Sequence, residues 1–189
     1  MKRQIVYFNE PGPQNTDAVL DAVLDRAKED AFKYLVVATG GPTLLKAVKR
    51  IRAAKLPLQA VGVTLQAGTW KTYGEPDWKL LKEAQELGAQ VITATHSLMG
   101  NVESAIHSKF GGIPPVELIA HTYYTFSQGT KVAVEIALTA VDAGIVPAGT
   151  DILSVAGSGQ GADTAFVLKA VSTVDFFDLK IREVLCIPH

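Results

Sequence analysis

Gly157-Ser158-Gly159-Gln160-Gly161-Ala162-Asp163-Thr164 sets three glycines within five positions, directly after the apolar run Ile152–Ala156. Closely spaced glycines let backbone N–H groups gather round a bound group without side chains in the way. The loop is therefore a candidate anion cradle. Gly157, Gly159 and Ala162 also match the spacing of G-x-G-x-x-A, but a dinucleotide fingerprint requires a helix to follow at once. Here Ala165–Val171 follows, and it reads as a second strand. The alternative to a cradle is a long, glycine-rich hairpin connection. Asp163 is then either a polar ligand contact or an Asx-turn residue. Ser158 is not a nucleophile elbow, because Ala156 breaks G-x-S-x-G and no helix follows.

A second glycine site, Thr39-Gly40-Gly41-Pro42-Thr43, lies between the apolar run Tyr34–Ala38 and the helical pattern Leu44–Ala54. A helix N-terminus offers unpaired N–H donors and the positive end of the helix dipole. Pro42 removes one donor and fixes the entry dihedral, while Thr39 and Thr43 add hydroxyls suited to phosphate oxygens. The loop is not a Walker A sequence. Its alternative is an ordinary strand-to-helix turn.

Of the four histidines, His96, His107, His121 and His189, none falls at a zinc-ligand spacing, so no metal site is expected. His96 follows a strand at its C-terminal end, where open α/β sheets bind ligands. His96 and Asp163 are the acid–base candidates should the chain be a catalyst. His107 and His121 read as helix surface. In the long loop 66–74, Trp70 and Tyr73 could stack on a planar ring and Lys71 could pair with phosphate, or the loop simply folds onto the body.

The elements that must position these residues follow from periodicity. Ile5–Phe8, Tyr34–Ala38, Leu58–Thr64, Gln90–Thr95, Asp151–Ala156, Ala165–Val171 and Val184–Ile187 read as strands. Most are continuous apolar runs, the mark of strands covered on both faces. Between them, Thr16 is expected to cap a helix with Val19, Leu20, Val23, Leu24 and Ala27 on one face. Leu44, Leu45, Val48 and Ile51 give a second helix. A third starts near Pro76, with Trp78, Leu81, Ala84 and Leu87 inward and Gly88 as its stop. Val132–Ala143 is apolar nearly all round, hence buried, and Gly144 ends it. Two short helices in 97–128 interrupt the strand–helix rhythm, one with Val102, Ala105 and Ile106 inward, the other with Val116, Ile119, Ala120 and Tyr123. The loop 157–164 is too short for a crossover helix, so Ala165–Val171 should run antiparallel to Asp151–Ala156.

With 189 residues and no linker-like segment, the chain reads as a single α/β domain over 1–189 with a helical insertion at about 97–128. Its 18 basic and 19 acidic residues give a net charge of −1, which leaves no footprint for nucleic acid. No apolar run approaches the roughly 20 residues of a membrane span, and no signal segment is recognisable. Cys186 is the single cysteine, and the cytoplasm is the default compartment.

At its two glycine loops the chain resembles the C-terminal domain of pyruvate kinase, from about Tyr34 to Val171. It is more similar, over nearly its whole length, to the stand-alone archaeal and bacterial proteins called pyruvate-kinase-C-terminal-domain-like, which are functionally uncharacterised. Lys109-Phe110-Gly111-Gly112-Ile113, Phe126-Ser127-Gln128-Gly129, Val132–Leu138 and Gly161-Ala162-Asp163-Thr164-Ala165 carry that resemblance. It implies a three-layer α/β/α fold with a mostly parallel mixed sheet of core order 3-2-1-4-5, the fifth strand antiparallel. In that order the first and fourth strands flank the topological switch point, and loops 39–43 and 157–164 face one another across a cleft.

Nothing in the chain resembles the kinase's catalytic barrel, which needs roughly 250 residues, so pyruvate kinase activity is not expected. The kinase effector loop carries basic side chains and Thr39–Thr43 carries none. One phosphate held by N–H and hydroxyl groups therefore suits the loop better than a bisphosphate. The resemblance suggests flavin mononucleotide, with its single phosphate and planar ring. The leading expectation is thus a binding protein for a small phosphate ester, held by Thr39, Gly40, Gly41, Pro42, Thr43 and the loop from Gly157, Ser158, Gly159 and Gln160 to Gly161, Ala162, Asp163 and Thr164. The alternatives are a flavin-dependent or phosphoester-transforming enzyme using His96 and Asp163, and an assembly module forming a homo-oligomer.

Overall fold

A computed structural model describes residues 2–189. Seven strands, β1 (Val6–Phe8), β2 (Tyr34–Ala38), β3 (Gln59–Thr64), β4 (Gln90–Thr93), β5 (Asp151–Ala156), β6 (Thr164–Lys169) and β7 (Lys180–Pro188), form one sheet in the order β1-β7-β6-β5-β2-β3-β4. Neighbours are parallel except at β6, which runs antiparallel to both β5 and β7. The stretch β4-β3-β2-β5-β6 is the expected 3-2-1-4-5 core with its fifth strand reversed. β7 and β1 extend it, with β7 much longer than the expected Val184–Ile187.

Alternate residues of each strand point to opposite faces, and on the central strands β2, β3, β5 and β6 both faces are dry. Leu35, Val37, Leu153, Val155 and Val167 pack under α1 (Thr16–Glu29), α2 (Pro42–Ala53) and α4 (Trp78–Glu86). Val36, Val61, Ile152, Phe166 and Leu168 pack under α7 (Gln128–Asp142). Covering both faces makes a three-layer α/β/α fold, and a side chain such as Phe166 gains about 1.5–3 kcal/mol from its burial. α7 is also buried on its outer side, where Val134 and Leu138 meet Ala120 of α6 (Pro115–Tyr124). That second layer explains why its sequence is apolar nearly all round.

Several local expectations change. Thr16 is not a cap: its hydroxyl donates to Pro13 O at 2.7 Å and accepts from Ala162 N at 2.9 Å. Trp78 is 47% exposed rather than inward, stacked edge-on against Trp70 of the short helix α3 (Trp70–Tyr73). Asp77 caps α4 instead, accepting the N–H groups of Lys79 and Leu80 at 3.1 Å each. Leu81 and Ala84 face the core as expected, and Gly88 takes the left-handed φ of +101° that a helix stop favours. In the 97–128 region, α6 buries the expected side, whereas α5 (Val102–Phe110) turns Val102 and Ile106 outward. Among the described residues, no helix is long and apolar enough to cross a membrane.

Candidate functional site

The parallel strands β2 and β5 pair Leu35 with Leu153, Val36 with Ser154 and Val37 with Val155. Beyond the last pair, Thr39 follows the end of β2 and Gly157 the end of β5, so both loops begin at the same end of neighbouring strands. From β2 the chain passes to β3 on one side, and β5 lies on the other, so this pair flanks the switch point of the sheet. The two glycine loops therefore leave neighbouring strands at the same edge.

Each loop is held by specific bonds. Thr39 N–H donates to Val63 O at 3.0 Å, and its hydroxyl oxygen accepts the N–H groups of Gly41 at 2.8 Å and Leu44 at 3.3 Å. The Thr39 hydroxyl thus caps the entry to α2 rather than standing free. Gly41 has φ +131°, and a Cβ there would come within 3.2 Å of Asp77 and Leu80. Gly40 O accepts the Asp77 N–H at 2.7 Å, which ties the loop to the start of α4. Gly40 itself faces open space, with nothing within 4 Å of an added Cβ. Among the described residues, the N–H groups of Gly40 and Thr43 and the Thr43 hydroxyl make no hydrogen bond to protein.

The loop from Gly157 to Thr164 folds back on itself. A Cβ at Gly157 would lie 2.8 Å from Gly161 O, and one at Gly161 would strike Pro13 and Thr16. Asp163 is fully buried and anchors the arrangement. Its Oδ2 accepts the N–H groups of Gly12 and Ser158, each at 3.0 Å, and its Oδ1 accepts the Thr164 hydroxyl at 2.7 Å. Thr164 Oγ1 lies 3.3 Å from Ser127 Oγ at the start of α7, and the Ser127 oxygen accepts Thr130 N–H at 2.9 Å. Asp163 therefore organises the loop from beneath, in the manner of the turn-residue alternative. Ser158, Gly159 and Gln160 form the outward rim, while Ala162 and Thr164 are buried. Burial, with the Asp163 charge second, pushes the neighbouring Cys186 thiol up to about 12.

His96 follows β4 and Asp163 precedes β6 at the same sheet edge, and each is bonded to other groups. His96 Nδ1 lies 3.5 Å from Glu135 Oε2, and its Nε2 is 3.1 Å from Thr64 O. Glu135 is buried on α7, its Oε1 accepting the N–H groups of Leu98 at 2.8 Å and Met99 at 3.1 Å. Lys131, one turn earlier and also buried, donates to Glu135 Oε2 at 2.6 Å. Sequence reasoning missed Lys131 and Glu135. The signal that could have found them was an i, i+4 Lys–Glu pair inside an otherwise apolar helix. In the loop 66–74, Trp70 Nε1–H donates to Leu65 O at 2.9 Å, and Tyr73 stays exposed.

Two open hollows, of about 670 and 580 Å3, lie at the other edge of the sheet, around Phe32, Tyr34, Gln59 and Gln90, and around Arg26, Asp30, Arg182 and Glu183. Both sit at the starts of the parallel strands, away from the switch-point edge where open sheets bind ligands. Among the described residues, no three His, Cys, Asp or Glu side chains are grouped as a metal site would require. No family model matches the chain. A solved structure of a mutant O-ureido-L-serine synthase with O-ureido-L-serine bound is similar over 72% of this chain, at 15% identity and a TM-score of 0.33. The matched region covers 49%, about half, of that protein's length.

Proposed function

We propose that the chain binds a small phosphorylated molecule at the β2/β5 edge, as a stand-alone relative of pyruvate kinase C-terminal domains. The observation carrying this reading is that both glycine loops leave the C-terminal ends of the paired strands β2 and β5, at the switch point. The phosphate would meet the N–H groups of Gly40 and Thr43 and the Thr43 hydroxyl at the start of α2, favoured by the helix dipole. Ser158, Gly159 and Gln160 would close over it. No basic side chain enters either loop, which favours a monoester over a bisphosphate, and flavin mononucleotide is the candidate to try first.

Gly40→Asp tests the reading, because the new carboxylate projects into open space and repels an anion without disturbing the backbone. Calorimetric titration of the wild-type chain with flavin mononucleotide and with inorganic phosphate should show binding. The variant should lose it with its unfolding midpoint unchanged. Wild-type protein that binds neither compound, or a variant that binds as well as wild type, would sink the proposal.

A catalytic reading is favoured by one observation, the part-buried His96 beside the buried Glu135–Lys131 pair at the same edge. Carboxylate–imidazole pairs orient the ring for proton transfer. Should a turnover be found with a phosphate ester, His96→Gln should lower kcat by roughly 100-fold or more while leaving ligand affinity in place. An unchanged kcat would remove His96 from the chemistry.

A further inference from the structure

Helix α5 carries an apolar stripe that the rest of the chain leaves uncovered. Val102, Ala105, Ile106 and Phe110 recur at the three- and four-residue spacing of one helical face, and Ile113 follows the two glycines that end the helix. Such a pattern ordinarily faces a core. Here Val102 is 75% exposed, Ile106 48%, Phe110 74% and Ile113 74%. The polar side of α5 is the side that docks. Glu103 Oε2 accepts Val116 N–H at 3.1 Å, His107 Nδ1 lies 3.3 Å from Glu117, and Ser104 Oγ accepts Gly100 N–H at 2.8 Å. These bonds fix α5 against its neighbours with its apolar side turned out. Leu118 on α6 and Phe126 just past it add two more exposed apolar side chains to the same helix pair.

We propose that this α5–α6 face is a two-fold interface between two copies of this chain. The area is the first support. At roughly 200 Å2 for a fully exposed large apolar side chain, Val102, Ile106 and Phe110 present about 400 Å2 on α5, and Ile113, Leu118 and Phe126 on the following segment about as much again, about 800 Å2 when one partner covers all six. A stable interface takes about that much from each side. The second support is that the stripe complements itself. An antiparallel crossing of α5 with its copy centres on Ile106 and sets the small Val102 of one copy toward the large Phe110 of the other, as an isologous contact requires. Ala105 and Ser108, small and exposed, leave room for that approach.

Charge separates this occupant from a membrane surface. Helices that lie on bilayers carry Lys and Arg on their polar side. Residues 102–126 hold one lysine, no arginine and two glutamates, and Lys109 lies 5.3 Å over the Phe110 ring. The interface is independent of the ligand reading, since neither glycine loop belongs to it.

Ile106→Cys is the direct test. Cys186 is completely buried, so the introduced thiol would be the accessible one in the folded chain, and at a two-fold axis it meets its own copy. The wild-type chain should sediment at twice 20.2 kDa. Mild oxidation of the Ile106→Cys variant should give a covalent dimer on a non-reducing gel. Ile106→Glu and Phe110→Asp should each yield monomers with an unchanged unfolding midpoint. The proposal is overturned by a wild-type monomer at about 100 µM, a concentration above the Kd of most interfaces this large. A dimer indifferent to both charged substitutions overturns it too. So does a monomer that co-sediments with phosphatidylserine vesicles, which would assign the face to a membrane.

Discussion

Asp163 Oδ2 accepts the backbone N–H of Gly12 at 3.0 Å, across 151 positions of sequence. The same oxygen accepts Ser158 N–H, and the other takes the Thr164 hydroxyl. One buried carboxylate thus joins the first turn of the chain, the glycine loop and the start of β6. Replacing Asp163 by Asn would turn one of these acceptors into a donor facing other donors. The expected cost is about 2–3 kcal/mol, because a buried group left unsatisfied carries its full desolvation penalty. Urea unfolding measures it, and a loss below about 0.5 kcal/mol would mean the carboxylate is not the anchor.

The Lys131–Glu135 pair gives a second stability prediction. Lys131→Met leaves a buried carboxylate without its cation, which costs about 3–5 kcal/mol. Adding Glu135→Gln removes the stranded charge while an amide oxygen still accepts from Leu98 and Met99. The double variant should therefore be more stable than Lys131→Met alone. A double-mutant cycle checks this, and strictly additive losses would show that the two residues are not coupled.

Arg26 and Glu183 predict a pH dependence. Arg26 Nε and Nη2 donate to the two Glu183 oxygens at 2.8 Å each, joining α1 to β7. The Arg26 guanidinium holds the Glu183 carboxyl below its ordinary value. A carboxyl depressed in the folded state adds stability that is complete above its unfolded value, about 4.3, and is lost as pH falls through the folded value. Arg26→Met should cost about 2 kcal/mol at neutral pH, in line with charge-assisted hydrogen bonds. The gap between wild type and variant should narrow in acid. Thermal unfolding followed from pH 7 down to about pH 3 tests the sign, and a gap that widens in acid would contradict it.

Gly40 and Gly41 should behave oppositely despite adjoining. Gly41 needs φ +131° and has Asp77 and Leu80 against it, whereas Gly40 has free space and an ordinary backbone. Gly41→Ala is expected to cost about 1–3 kcal/mol and Gly40→Ala close to nothing. Unfolding midpoints of the two variants measure the contrast. Equal effects would mean that the entry to α2 is not built as described.

Much of the fold lies in local chemistry. Continuous β-branched runs mark strands covered on both sides, and the short loop after Ala156 forces Ala165–Val171 to reverse direction. Both hold for the central strands, whereas the apolar run Ile5–Tyr7 at the sheet edge stays exposed. The two glycine loops are also visible as sequence, since unusual backbone conformations require glycine locally. Periodicity alone could not say which side of α5 is covered, because an apolar stripe specifies only that something should pack there. Nor could spacing show that Asp163 bonds to Gly12, or that His96 meets Glu135 and Lys131. Those contacts join residues far apart in the chain, and only the order and direction of the strands bring them together. Residue types set what each segment can do locally; the tertiary arrangement of the sheet decides which polar groups consume one another and which are left without a protein partner.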